Sequence, residues 1–265
     1  MKRADLITVL AIAALVYTGA KVVHEGLGHG GICLAVGGTL RGVSSSWADC
    51  DTEAVGPWGR RAVHAAGTIA NLLAAAVFLF LSRRPTRTGQ TAYFFWLGFC
   101  VNALMAGGYL MVDPLFGFGD WTAFLVGLAP LWPLRLTLTA IGLVVTMLAF
   151  RRAGRTLIPL VGTEPHTAVP SARLLCWAPW AAAGGVLLTG AAALNVYGPK
   201  FAFTSALATL GGTWMLVWVP STFGRPRPTP QAATLTIDRS TGYIAAGFVA
   251  LAFLLSFFGP GITSG

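Results

Sequence analysis

The sequence predicts an all-α polytopic membrane protein of about seven transmembrane helices. Two observations carry that expectation. Of 265 residues, 55% are hydrophobic and only 10% charged, where a soluble domain carries about 25% charged residues. Several apolar runs also reach the roughly 20 residues that cross a bilayer as a helix.

The first run spans about residues 5–37, long enough for a crossing with a tilted or broken extension. Its start, Met1-Lys2-Arg3 followed by Leu6 to Ala20, has the form of a signal peptide. The apolar character resumes after Lys21, however, as in a signal anchor. A polar segment, Thr39 to Trp58, follows, with Ser44-Ser45-Ser46 and the acids Asp49, Asp51 and Glu53; its Val43 and Trp47 allow a short hairpin. The second run covers about 60–82 and the third about 90–112. Next, Asp113-Pro114-Leu115-Phe116-Gly117-Phe118-Gly119-Asp120-Trp121 reads as a broken or re-entrant segment, tolerated at membrane depth only where protein or a polar cavity covers it. Further runs lie at about 132–150, 172–196, 201–221 and 243–258, with the linkers 151–171 and 222–242 expected as solvated connections. Residues 1–130 are expected to form a core and 131–265 to add helices around it.

The net charge of +9 does not point to nucleic acid, because the basic residues cluster in short loops between spans. Twelve of them fall on the side of the N-terminus and five on the other, which predicts an N-terminus in the cytoplasm and a C-terminus outside. The expected home is a bacterial-type inner membrane or a plasma membrane. Cys33, Cys100 and Cys176 sit in apolar runs, and Cys50 stands alone in a polar loop. With no CxxC pair, neither a disulfide scaffold nor a cysteine zinc site is expected.

Chemistry is concentrated in His24-Glu25-Gly26-Leu27-Gly28-His29, inside the first run. Ionisable residues in lipid are costly and mark function by default. Neutral imidazoles ligate zinc, and a neighbouring carboxylate that is not a ligand can take a proton from the water such an ion activates. The zinc-protease motif places its histidines four apart, and here they are five apart. On a regular helix five residues turn through about 140° net, which separates the two side chains. A one-residue π-bulge restores a shared face, and Gly26 and Gly28 make that departure cheap. The bland alternative has each histidine bonded to a different helix and Glu25 paired with Lys21, four residues earlier.

A zinc site needs a third protein ligand. Asp120, between Gly119 and Trp121, is the preferred candidate, with Asp113 or His64 as alternatives; Asp113 could instead cap the turn after it.

With His24-Glu25…His29 in the first run, Ala66-Gly67-Thr68-Ile69-Ala70-Asn71-Leu72-Leu73 in the second, and Asn102 followed by Asp113 or Asp120, residues 5–125 resemble the site-2 protease family of intramembrane metalloproteases. The resemblance implies His24 and His29 as zinc ligands, Glu25 as general base, Asp120 (or Asp113) as third ligand, and Asn71 and Asn102 as substrate-binding groups near the scissile peptide. It implies a site-2-protease-like core in the first three helices and a membrane protein or peptide as substrate within the lipid bilayer. The chain departs from the family's pattern in its extra residue between the histidines, in Thr68 where a proline is usual, and in the lack of an Asp-Gly pair. The alternatives are a non-proteolytic membrane metalloenzyme acting on a lipid or small apolar substrate, and an inactive pseudoprotease that binds a partner. Oligomeric state is not legible.

Overall fold

The computed structural model describes residues 4–83, 89–196, 199–223 and 235–263. Its helices are α1 (Leu6–Ala35), α2 (Pro57–Ser82), α3 (Gly89–Phe116), a short α4 (Gly119–Phe124), α5 (Leu131–Val161), α6 (Pro165–Ala193), α7 (Pro199–Thr213) and α8 (Thr241–Phe258). Among the described residues six helices are long and apolar enough to cross a membrane: α1, α2, α3, α5, α6 and α8. The run expected at 201–221 is not among them, because α7 stops at Thr213 and passes into a 3₁₀ stretch, Trp214–Phe223, with Pro220 inside it.

Local chemistry sets the helix ends. Asp5 caps α1, its carboxylate accepting from the Thr8 amide at 2.9 Å and the Thr8 hydroxyl at 2.8 Å. Pro57 opens α2 and Pro165 opens α6, where a missing N–H costs nothing. The stretch 151–171, expected as a solvated linker, is helical apart from residues 162–164. Ala153, Leu157, Ile158, Val161 and Ala168 are buried there, so packing overrides the polar Arg151, Arg152 and Arg155 that suggested a loop. Of the second expected linker, residues 224–234 lie outside the described residues.

The helix most enclosed by its neighbours is α3, flanked by α2, α5, α7 and α1. Bare backbones let helices approach closely, as small residues do in membrane bundles. A Cβ added at Gly212 of α7 would sit 3.3 Å from Gly108 Cα of α3. α5 lies along α3 and α8 along α1, so these later helices pack against the ones expected to form the core. Trp58, Trp132 and Trp218 are exposed, as interfacial anchors would be.

α1 and α8 run in the same direction. At one end Asp5 N–H donates to Ile237 O at 2.8 Å and Arg239 pairs with Asp5 at 3.3 Å. At the other end β1 (Thr39–Val43), β2 (Ala48–Asp51) and β3 (Ile262–Thr263) form an antiparallel sheet in the order β2-β1-β3. The described N- and C-terminal residues therefore lie at opposite ends of the bundle. The hairpin expected near Val43 and Trp47 is the β1–β2 pair, in which Leu40 faces Cys50. Arg41 pairs with Asp51, whose carboxyl is held below its usual range first by the Glu53 N–H and also by that guanidinium.

One expectation is corrected outright. Cys33 and Cys50 form a disulfide, with their Cα atoms 5.9 Å apart. Gly37, at φ 83°, turns the chain after α1, and the hairpin register then returns Cys50 to the end of that helix. No local spacing signals a pair created by strand register.

Candidate metal centre

Residues Val22–Gly30 of α1 form a π-helix, with ordinary α-helix on either side. Its i→i+5 hydrogen bonds place residues five apart one turn above each other. His24 and His29 consequently share a face, with ring centroids 4.9 Å apart. That face lies on α2 where both helices carry glycine. A Cβ at Gly28 would stand 2.6 Å from Gly67 Cα, and a Cβ at Gly67 would stand 2.5 Å from His29 Nε2 and 2.6 Å from His24 Nε2. The two imidazoles rest on bare backbone.

The third member comes from the break after α3. Gly117 and Gly119 both have φ of +74°, a conformation that favours glycine, and α4 starts immediately. Asp120 Oδ2 lies 3.2 Å from His24 Nε2 and 3.1 Å from His29 Nε2. Asp113 organises this turn. Its carbonyl accepts from the Gly117 amide at 2.9 Å and the Thr122 hydroxyl at 2.7 Å, and its Oδ2 accepts from the Trp121 amide at 3.4 Å. Trp121 Nε1 then donates to Thr68 Oγ1 at 2.9 Å. Thr68 thus docks the residue beside Asp120 onto α2.

Hydrogen bonding fixes the tautomers. His29 Nδ1 lies 2.7 Å from Val63 O, which can only accept. His24 Nδ1 lies 2.6 Å from Asn71 Oδ1. Asn71 Nδ2 donates to Ala20 O at 3.2 Å and to Asn102 Oδ1 at 2.8 Å, and Asn102 Nδ2 donates to Gly98 O at 2.9 Å. Both Nδ1 atoms therefore carry hydrogen, and in neutral imidazole each Nε2 presents a lone pair. Two nitrogen lone pairs and a carboxylate oxygen converge, an arrangement that is repulsive unless a cation or proton sits among them.

Two of the three ligand-atom separations, 3.1 and 3.2 Å, suit a small tetrahedral cation. Zinc held at about 2.0–2.1 Å with tetrahedral angles sets neighbouring N and O ligand atoms about 3.3 Å apart. The three ligand atoms lie within 4.8 Å of one another, and among the described residues no other group of histidine, cysteine and carboxylate side chains is so arranged. Asp113 and His64 stay outside the cluster. His24 and His29 are buried, whereas the Asp120 side chain keeps 24% of its surface exposed, which leaves the site one approachable edge.

Glu25 follows His24 and is buried. Its Oε1 accepts from Lys21 Nζ at 3.1 Å, the i,i+4 pairing that the bland alternative foresaw. Lys21 also donates to Tyr109 Oη at 3.3 Å and Ser205 Oγ at 3.0 Å. The Tyr109 ring lies 4.4 Å from the His24 ring. Asn71 and Asn102, which the resemblance places beside a scissile peptide, are fully buried here, with their amides engaged by His24, by each other and by backbone. Sequence reasoning missed Val63, Thr68, Trp121, Tyr109 and Ser205 as supports. Thr68 alone carried a signal, as a departure from the family's motif.

No family model, curated protein or solved structure matches the chain.

Proposed function

We propose that the chain is a membrane-embedded zinc metallopeptidase that hydrolyses a peptide bond within or near the bilayer. The observation that carries this reading is the convergence of His24 Nε2, His29 Nε2 and Asp120 Oδ2, with both Nδ1 atoms committed to acceptors. A neutral His₂-carboxylate set with one accessible edge is the donor set of catalytic zinc. The resemblance of residues 5–125 to the site-2 protease family supports the same reading, including Glu25 as the acid–base group.

When bound, zinc supplies a Lewis acid and lowers the pKa of a water ligand toward about 7. The remaining work falls to the chain. Val63 and Asn71 hold the imidazoles in the metal-ready tautomer. Trp121, anchored by Thr68, sets the position of Asp120. Glu25 accepts the proton of the attacking water and delivers it to the leaving amine. Gly67 and Gly28 let α1 and α2 close on one another and exclude bulk water from the histidine side.

The orientation proposed is N-terminus in the cytoplasm, C-terminus outside and seven crossings, with α7 and its 3₁₀ extension as the crossing that falls short of an unbroken apolar helix. A disulfide at the sheet end of the bundle supports it, since such bonds persist in oxidising compartments. The site then faces the outer half of the membrane.

The test is co-expression with a panel of single-span membrane proteins. Cleavage that Glu25→Gln abolishes supports the peptidase, and cleavage indifferent to Glu25→Gln contradicts it. The engaged amides of Asn71 and Asn102 favour a second reading, a metal-dependent hydrolase of a lipid or small apolar substrate. That reading predicts Glu25-dependent turnover of lipid extracts and no cleavage of any span.

A further inference from the structure

Lys21 is a buried ammonium in the middle of a membrane-spanning helix, and such groups persist only when paired and hydrogen-bonded. Its three protons have three acceptors from three helices: Glu25 Oε1 on α1, Tyr109 Oη on α3 and Ser205 Oγ on α7. Tyr109 and Ser205 are themselves 3.4 Å apart, which closes the cluster. Ser205 comes from a helix outside the 5–125 segment that carries the metal ligands. Among the described residues, the hydrogen bond recorded at the Glu25 carboxylate uses Oε1.

A carboxylate held through one oxygen presents the other in a fixed direction. We infer that Lys21 is a positioning residue, held by Tyr109 and Ser205, that pins Glu25 through Oε1 and leaves Oε2 as the proton acceptor. This rests on the proposed role of Glu25 and adds the device that orients it. It also gives α7 a function: to supply the hydroxyl that holds the ammonium. Removing Lys21 leaves Glu25 an unpaired buried anion. Glu25 directly follows His24, so a cation held by His24, His29 and Asp120 is expected to draw the freed carboxylate.

The test needs no substrate. Purified protein is loaded with Co2+, whose visible absorption is strong in four-coordinate sites and weak in five- or six-coordinate ones. In Lys21→Met the band is expected to fall several-fold as Glu25 joins the coordination sphere, and to recover in the Lys21→Met/Glu25→Gln double variant. Lys21→Arg, which keeps the charge and donors, is expected to retain most of the wild-type band. Tyr109→Phe and Ser205→Ala are expected to shift it in the same direction by less, and they carry the test if Lys21→Met fails to fold. If folded, metal-loaded Lys21→Met gives the wild-type band, or if Tyr109→Phe and Ser205→Ala both leave it unchanged where Lys21→Met does not fold, Lys21 is only a structural counter-charge. If wild type itself gives no cobalt band, the metal reading falls and this inference falls with it. Where Glu25-dependent cleavage is found, Lys21→Met is expected to lower kcat on the order of 10- to 100-fold with little change in KM, the size of effect that misplacing a reacting group produces.

Discussion

His24 Nδ1 and Asn71 Oδ1 are 2.6 Å apart, and Asn71 cannot rotate away because its own amide nitrogen is bonded to Ala20 O and Asn102 Oδ1. The amide on α2 thereby fixes the tautomer and the aim of an imidazole on α1. Partners of this kind typically contribute 10- to 100-fold in metal affinity. Asn71→Leu is therefore expected to weaken zinc binding by about that factor without unfolding the protein, as read by competition with a chromophoric chelator. Unchanged affinity would show that the bond is incidental.

Gly67 faces both Nε2 atoms. An alanine there brings its Cβ to 2.5–2.6 Å from them, inside van der Waals contact. Gly67→Ala is expected to abolish stoichiometric zinc binding. Gly190→Ala, in α6 where an added Cβ meets nothing within 4 Å, is expected to leave it intact. Metal retained in Gly67→Ala would place the ion elsewhere.

The five-residue histidine spacing is a bulge and not a broken motif, so removing one residue should be tolerated. Leu27 lies between the histidines and is 67% exposed. Its deletion restores a four-residue spacing, which ordinary α-helix serves equally well. The deletion variant is expected to keep about one zinc per chain. Loss of metal with the fold intact would mean that the π-helix itself shapes the site.

The Cys33–Cys50 disulfide links positions 17 residues apart and ties the end of α1 to the hairpin. Loops of that length contribute about 3 kcal/mol in the chain-entropy picture. Cys33→Ser/Cys50→Ser is expected to unfold at lower temperature in detergent, and reductant should lower the Tm of wild type but not of the variant. Equal Tm values would mean the tether adds nothing.

The helical membrane class and the pair His24–His29 were legible in the sequence from local composition and spacing. The π distortion entered only as a condition for the two histidines to share a face, and it extends over Val22–Gly30 rather than one residue. Asp120 was preferred to Asp113 on the glycines around it, and the structure brings Asp120 to the histidines. Both acids flank the same glycine-rich break, and only the backbone turn at Gly117 and Gly119 sends one carboxylate to the histidines and keeps the other as a scaffold. Lys21–Glu25 was visible as an i,i+4 pair, but Tyr109 and Ser205 lie 88 and 184 residues from Lys21, and no pattern along the chain announces them. The disulfide was hidden for the same reason, since hairpin register brings Cys50 back to α1. Residues 151–161 looked like a linker because arginines there suggested solvent, whereas Ala153, Leu157 and Ile158 bury a helical face.

Metal content of the purified protein tests the candidate centre most directly. Wild type and Glu25→Gln are each expected to carry about one zinc per chain, and His24→Ala, His29→Ala and Asp120→Ala to carry essentially none. A wild-type protein that binds no zinc, or histidine variants that keep it, would contradict the assignment of His24, His29 and Asp120 as a metal centre.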